Sequence, residues 1–191
     1  MRRHYQYLNL DFLPLNDMDA LPVYARISLI PKDNINQDLI DYLGEHALEI
    51  DHAAIFYARP GFNEGIIHVD GEKFDLEGEW PSRCKLNYVV GDTSTTTSWY
   101  DVSLEHRIKT KYAQTAIQSK FYAFDQSICT EIERVALGPW HLFESGIPHT
   151  IVNSSNKPRW CISYSLRKVE HPGWVTFSEV FKRLMSPSFN G

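Results

Sequence analysis

The sequence is poor in cysteine, with three residues among 191, and Cys84, Cys129 and Cys161 form no Cys-x-x-Cys pair. An odd, scattered set of this kind argues against a disulfide framework and against a cysteine-type zinc site. Such cysteines are typical of a reducing compartment. We therefore expect a cytoplasmic protein.

Apolar runs are short and basic residues are dispersed along the chain. No stretch approaches the roughly 18 apolar residues that span a bilayer, and no signal peptide is readable. The formal net charge is −5, which disfavours binding to nucleic-acid phosphates. Neither a membrane nor a nucleic acid is therefore an expected partner.

Turn residues divide the chain into many short β-type runs. A hydrophobic content of 43% and an aromatic content of 13% fit a globular β-rich protein. Many short strands at near-regular spacing predict a sandwich or a barrel. We expect a single domain over residues 1–191, with a mainly β core at about 50–167 and flanking helices at 34–47 and 176–185.

Less regular segments lie between the predicted strands. Residues 1–20 are predicted to form an irregular arm, and residues 71–81 a loop. Residues 104–127 show no clear period, and we interpret them as an inserted lid or substrate loop, or as a surface excursion anchored by aromatic residues. Extended segments are predicted at 23–30, 53–58, 66–70, 84–90, 99–102, 128–135, 140–143, 149–153 and 159–166.

One triplet, His68-Val69-Asp70, is the only His-x-Asp or His-x-Glu in the sequence. On an extended strand, residues two positions apart point to the same face. An imidazole and a carboxylate on one face are two of the three ligands that hold non-haem Fe(II). A sequence with 8 histidines and 24 acidic residues contains about one such triplet by chance. The triplet alone therefore does not establish a metal site, and further residues are needed as evidence.

A second histidine must come from elsewhere in the chain, and His149 competes with His141 for this position. His149 follows Pro148, and the residue before a proline is biased toward extended geometry, which suits entry into a strand. Among the eight histidines, only His149 has an arginine nine to eleven positions downstream, Arg159. We therefore favour His149 as the third ligand and interpret His141 as a structural or surface residue.

The order of His68, Asp70, His149 and Arg159 resembles that of the 2-oxoglutarate/Fe(II) dioxygenase superfamily. The resemblance covers about residues 50–167 and implies a double-stranded β-helix, or jelly-roll, core. It implies that the first three residues bind Fe(II) and that 2-oxoglutarate is the co-substrate. It also implies hydroxylation of an amino-acid or peptidyl side chain or of another small molecule, and retention of Asp70 favours hydroxylation over halogenation.

Arg159 is expected to meet the distal carboxylate of 2-oxoglutarate, since a guanidinium is a fixed, bidentate partner for a carboxylate. Arg167 is the alternative, but it lies further along the same run. The resemblance also implies a hydroxyl two positions after the arginine. Cys161 occupies that position here, and Ser163 is the next candidate. Asn87 is expected to add a polar contact from another strand.

Two other functions remain open from the sequence. One is a cupin-like metal enzyme that works without 2-oxoglutarate and does not need Arg159. The other is a jelly-roll binding module without enzymatic activity. The prime substrate and the oligomeric state are not specified by any sequence feature.

Overall fold

The chain folds mainly into β-strands. The computed structural model describes residues 3–19, 21, 27–62, 66–70, 83–91, 95–103, 105–106, 112–114, 120–170 and 175–185. The strands are β1 (Tyr5–Tyr7), β2 (Ile27–Ile30), β3 (Leu48–Ala58), β4 (Ile67–Asp70), β5 (Cys84–Gly91), β6 (Thr96–Val102), β7 (Tyr112–Gln114), β8 (Lys120–Phe124), β9 (Cys129–Ala136), β10 (Trp140–Glu144), β11 (His149–Val152) and β12 (Arg159–Lys168). Two α-helices lie entirely within the described residues, α1 (Gln37–Glu45) and α2 (Phe177–Met185), and short 3₁₀ turns cover Lys32–Asn34 and Gln126–Ile128.

The strands form two antiparallel sheets of six strands each, which confirms the expected mainly β class. The first sheet has the order β1-β10-β5-β12-β3-β2, and the second has the order β7-β8-β4-β11-β6-β9. Each order runs from one edge strand to another, so neither sheet closes on itself within the described residues. In the same residues, no helix combines the length and apolar character that crossing a membrane requires.

Two segments differ from the sequence-based expectations. The predicted irregular arm contains β1, which pairs with β10 and places Tyr5 opposite Phe143. The segment 104–127 contains β7 and β8, and β8 pairs with β4, so its interpretation as an insertion is corrected. It supplies strands to the second sheet, beside the His68–Asp70 strand. The predicted loop at 71–81 and residues 23–26 of the predicted strand at 23–30 lie outside the described residues.

Alternation along β5 and β12 separates the hydrophobic core from a polar face of the first sheet. Leu86, Ile162 and Tyr164 are fully buried and pack in one cluster with Leu39 and Leu43 of α1. Side chains one position along each strand point the other way. The opposite face of the same strands is therefore free to carry polar residues toward the second sheet.

Both helices begin at side-chain caps. Asn36 Oδ1 accepts a hydrogen bond from the backbone N–H of Asp38 at 2.8 Å, at the start of α1. At the start of α2, Thr176 Oγ1 accepts from the N–H of Glu179 at 3.2 Å, and Glu179 Oε2 accepts from the N–H of Thr176 at 2.9 Å. This reciprocal pair is a capping box, and the sequence Thr176-Phe177-Ser178-Glu179 has the spacing that such a pair requires.

Candidate functional site

His68 and Asp70 lie on β4, and His149 begins β11, the neighbouring strand of the second sheet. The register pairs His149 directly with His68. Residues opposite each other in an antiparallel pair share a face, and Asp70 shares it too because it is two positions from His68. The sheet thus brings together a triplet and a histidine that are far apart in the chain.

The metal-donor cluster consists of His68, Asp70 and His149, whose candidate ligand atoms lie within 4.8 Å of one another. The two imidazole centroids are 4.4 Å apart, and His68 Nε2 is 3.7 Å from Asp70 Oδ1. Phe143 packs edge-on against His149 with a centroid separation of 4.8 Å. The three donors are therefore close enough to face a single ion.

Backbone carbonyls orient both imidazoles. His68 Nδ1 donates to the Ile66 carbonyl at 2.9 Å, and His149 Nδ1 donates to the Ile147 carbonyl at 2.8 Å. Because a carbonyl only accepts, Nδ1 carries the proton, and the Nε2 lone pair of a neutral ring remains available. Burial, together with the nearby His68, lowers the pKa of His149 to about 3, so this ring is neutral at pH 7.

Asp70 divides its two carboxylate oxygens between different partners. Oδ1 faces His68, whereas Oδ2 accepts a hydrogen bond from Lys85 Nζ at 2.6 Å. Loss of solvent by itself raises the pKa of Asp70, but the charge of Lys85 and the nearby imidazoles outweigh it and hold that pKa well below its ordinary value. Asp70 is therefore ionised at neutral pH, as a metal ligand must be.

Arg159 opens β12, and its side chain is buried, with 3% of the residue exposed. Among the described residues it forms no ion pair, and its Nε has no hydrogen-bond partner. Burial lowers the pKa of Arg159, but a guanidinium stays protonated in proteins. A buried cation without a carboxylate partner is costly, which indicates a receptor for an anion.

One cavity joins the metal-donor cluster to Arg159. Its empty space is about 860 Å³, including the part open to solvent. The cavity is lined by all six residues that the sequence predicts for the site, namely His68, Asp70, Asn87, His149, Arg159 and Ser163. Its apolar walls include Ile27, Phe56, Tyr57, Phe62, Ile66 and Ile151.

The polar end of the cavity is built by pairing between β5 and β12. Asn87 pairs with Ser163, and Gly91 pairs with Arg159. Gly91 has a φ of 113°, and a Cβ atom at this position would lie 2.5 Å from the Pro158 carbonyl oxygen, so only glycine permits this close pairing. Asn87 Oδ1 is buried and has no hydrogen-bond partner in the part of the chain that the structure describes. The face of the sheet therefore presents unused polar groups beside Arg159.

Two residues weighed as alternatives lie elsewhere. His141 is fully buried opposite Asn87, outside the metal-donor cluster, and its Nδ1 donates to the Gly138 carbonyl at 3.0 Å. Arg167 forms ion pairs with Glu49 at 2.7 Å and Asp51 at 3.4 Å and does not line the cavity. Neither residue is positioned for the role that was considered for it.

Comparisons with known proteins identify no family. No protein-family model matches the chain, and no curated protein matches it at a significant level. Among solved structures, the chain is similar to EvdO2 from Micromonospora carbonacea var. aurantiaca, with 14% identity, 74% of this chain and 62% of that chain covered, and a TM-score of 0.36. EvdO2 complexed with 2-oxoglutarate gives 13% identity, the same coverages and a TM-score of 0.29. The chain thus spans less than two thirds of the EvdO2 chains, and overlap at this level identifies neither fold nor site.

Lys85 and Cys161 line the cavity without being among its six predicted site residues. Lys85 contacts Asp70, and Cys161 lies beside Arg159. The sequence signal for Lys85 is a lysine two positions before Asn87 in an otherwise apolar strand, which puts both side chains on one face. Cys161 stands between Arg159 and Ser163 at the same spacing of two. Alternation of side chains along a strand therefore places Lys85 and Cys161 on the same faces as the predicted site residues of β5 and β12.

Proposed function

We propose that the protein is a 2-oxoglutarate- and Fe(II)-dependent dioxygenase that hydroxylates an amino-acid or peptidyl side chain or another small molecule. The observation that carries this proposal is the placement of Arg159 in the same cavity as the metal-donor cluster, buried and without an anionic partner among the described residues. A metal site alone fits many enzymes. A metal site that shares a cavity with an unpaired buried cation fits a ligand that is anionic at both ends.

The donor set fits a divalent iron. Two imidazoles and one carboxylate are the ligands of the non-haem Fe(II) oxygenases, and here His68, Asp70 and His149 would hold the ion. Their hydrogen bonds suit this role, because each Nδ1 is bound to a backbone carbonyl, which leaves Nε2 for a metal, and Asp70 is ionised. When bound, Fe(II) would supply the reactivity toward dioxygen.

Arg159 would bind the distal carboxylate of 2-oxoglutarate. A dicarboxylate held at the metal by one end carries a second full charge into a poorly solvated cavity, and a cation has to meet it there. The guanidinium offers two parallel donors to that carboxylate. Asn87 and Ser163 lie on the same face and would complete the hydrogen bonds that a buried carboxylate requires.

The proposed reaction converts the substrate, dioxygen and 2-oxoglutarate into the hydroxylated substrate, succinate and carbon dioxide. One oxygen atom enters the new hydroxyl and the other enters succinate. The substrate and 2-oxoglutarate each lose two electrons, and these four electrons together reduce one molecule of dioxygen. The residues of the chain bind and orient these reactants, and the apolar walls keep water from them.

We also propose that the two sheets are those of a jelly roll within a single domain over residues 1–191. Support comes from the path of the chain, which changes sheet at each successive strand from β3 to β6 and again from β9 to β12. Further support comes from β1, which pairs with the distant β10 and so connects the N-terminal part of the chain to the first sheet.

The proposal is tested by adding 2-oxoglutarate to the Fe(II)-loaded protein without oxygen. We expect the visible absorption of the iron to change on addition, and succinate to form when oxygen is admitted. Arg159→Ala should lose the response at ordinary co-substrate concentrations but still bind Fe(II). Arg167→Ala is the matched control and should behave as wild type, because Arg167 lies in ion pairs away from the cavity.

The alternatives give different results in the same experiment. Iron that binds tightly but does not respond to 2-oxoglutarate would favour a metal enzyme without this co-substrate. If the protein binds a ligand equally well with and without iron, a non-enzymatic binding module is favoured. Either result would contradict the proposed activity.

A further inference from the structure

We propose that Lys85 is a resident counter-ion of Asp70 that competes with the metal and thereby lowers metal affinity. The inference rests on the proposed metal site and concerns how strongly that site holds its ion. Lys85 would act through Asp70, as a positioning residue rather than as a metal ligand.

The contact joins the two sheets, because Lys85 belongs to the first sheet and Asp70 to the second. Lys85 lies on β5, opposite Phe143 of β10 and Ser165 of β12, and its side chain enters the cavity. Its Nζ donates to Asp70 Oδ2 at 2.6 Å and lies 5.9 Å from the ring centroid of Phe56. About a fifth of the Lys85 side chain is exposed, so this ion pair is less screened than one at the open surface.

In the metal-free protein, Lys85 balances the negative charge of Asp70. The Asp70 side chain is about three-quarters buried beside His68 and His149, and a carboxylate with so little solvent needs a cation close by. Lys85 supplies it on the Oδ2 side, while Oδ1 stays turned toward His68. The metal-free protein therefore keeps an ionised, oriented carboxylate without a metal ion.

With metal, the same lysine has two opposing effects. Its hydrogen bond orients the ligand, and loss of a contact of this kind typically weakens metal binding by about 10- to 100-fold. Its charge also stands within a few ångström of a dication, where the repulsion is twice that between unit charges. Because the side chain is mostly buried and screening is weak, we expect repulsion to dominate. Lys85 would thus keep the ion exchangeable and leave positive charge for an anionic ligand.

The test measures binding of Co(II) alone by titration calorimetry, together with thermal unfolding of the metal-free protein. Lys85→Met keeps the apolar stem, and Lys85→Gln keeps a polar end without the charge. Both remove a charge that repels the dication, so both should tighten Co(II) binding by about tenfold or more and lower the melting temperature of the metal-free form. Lys85→Arg keeps the charge and should resemble wild type in both measurements.

Lys168→Met is the matched control, because Lys168 makes a comparable ion pair with Glu179 away from the cavity. It should lower the melting temperature and leave Co(II) affinity unchanged. If Lys85→Met and Lys85→Gln leave Co(II) affinity unchanged or weaken it, Lys85 is only structural and the inference is overturned. Should Lys85→Met fail to fold, Lys85→Gln gives the same comparison. If wild type itself binds no Co(II), the proposed metal site fails, which is a distinct result.

Discussion

Replacing Arg159 with methionine should have opposite effects on stability and on ligand binding. Methionine retains an unbranched apolar stem of similar reach and removes the guanidinium. In the metal-free protein this change removes a buried cation that has no anionic partner among the described residues. In the ligand-bound protein it removes the proposed partner of a carboxylate.

The expected magnitudes follow from the burial of the residue. With 3% of Arg159 exposed, solvent does little to stabilise its charge. Replacement of buried ionic groups by apolar residues of similar volume stabilises proteins by up to about 1–4 kcal/mol. For a chain of this length, each kcal/mol corresponds to a rise in melting temperature of about 2–4 °C. Truncation of one partner of a buried charge pair costs about 2–5 kcal/mol of binding free energy, or roughly 30- to 4000-fold.

The assay combines scanning calorimetry of the metal-free protein with titration of 2-oxoglutarate into the metal-loaded protein. Arg159→Met should melt several degrees above wild type and bind 2-oxoglutarate at least about 30-fold more weakly. Arg167→Met is the control, since Arg167 pairs with Glu49 and Asp51 and is more than a third exposed. It should leave 2-oxoglutarate binding unchanged.

Either of two results for Arg159→Met would contradict this prediction. A lower melting temperature for Arg159→Met would mean that the guanidinium stabilises the protein rather than straining it. Unchanged affinity for 2-oxoglutarate would mean that another cation, such as Lys85 in the same cavity, meets the distal carboxylate.

Three further predictions concern the metal ligands, the capping box and acid stability. Asp70→Ala should bind Fe(II) much more weakly than wild type, because it removes a metal ligand. Retention of wild-type Fe(II) affinity would contradict the role of Asp70 as a ligand. The hydrogen bond from Lys168 is the main cause that lowers the pKa of Glu179 to about 2. The ionised carboxylate therefore stabilises the folded protein fully above the ordinary pKa of a glutamate, and this contribution is lost as the pH falls toward 2. Because this side chain is more than a third exposed, Glu179→Gln should cost only about 1 kcal/mol at pH 7 and nothing near pH 2, as measured by urea unfolding. Burial lowers the pKa of His141 and His149 to about 3. The unfolded chain therefore binds more protons than the folded chain, and the free energy of unfolding should decrease as the pH falls from about 6.5 to 3. An unfolding free energy that stays constant across this pH range would refute the prediction.

Local rules were sufficient for the elements that carry the site. The alternation of side chains on a strand predicts that His68 and Asp70 share a face, and the register of β4 and β11 agrees with that geometry. The capping box at Thr176 predicts the start of α2 because its hydrogen bonds form between residues three apart. In both cases the deciding interactions lie within a few positions of the chain.

Long-range pairing lay beyond these rules. The sequence of 104–127 has no clear period, because β8 is short and is defined by its partner β4 rather than by its own pattern. The contact of Lys85 with Asp70 depends on the approach of two sheets, and strand propensity carries no information on that distance. That Arg159 meets no anionic partner among the described residues likewise depends on which residues surround it in the fold.

The most direct test of the central claim is a crystal structure of the protein grown without oxygen in Fe(II) and 2-oxoglutarate, with anomalous diffraction recorded at the iron edge. We expect an iron peak bounded by His68 Nε2, Asp70 Oδ1 and His149 Nε2. We also expect continuous density for a dicarboxylate from that peak to the Arg159 guanidinium. Iron elsewhere, or a dicarboxylate that does not reach Arg159, would contradict the claim.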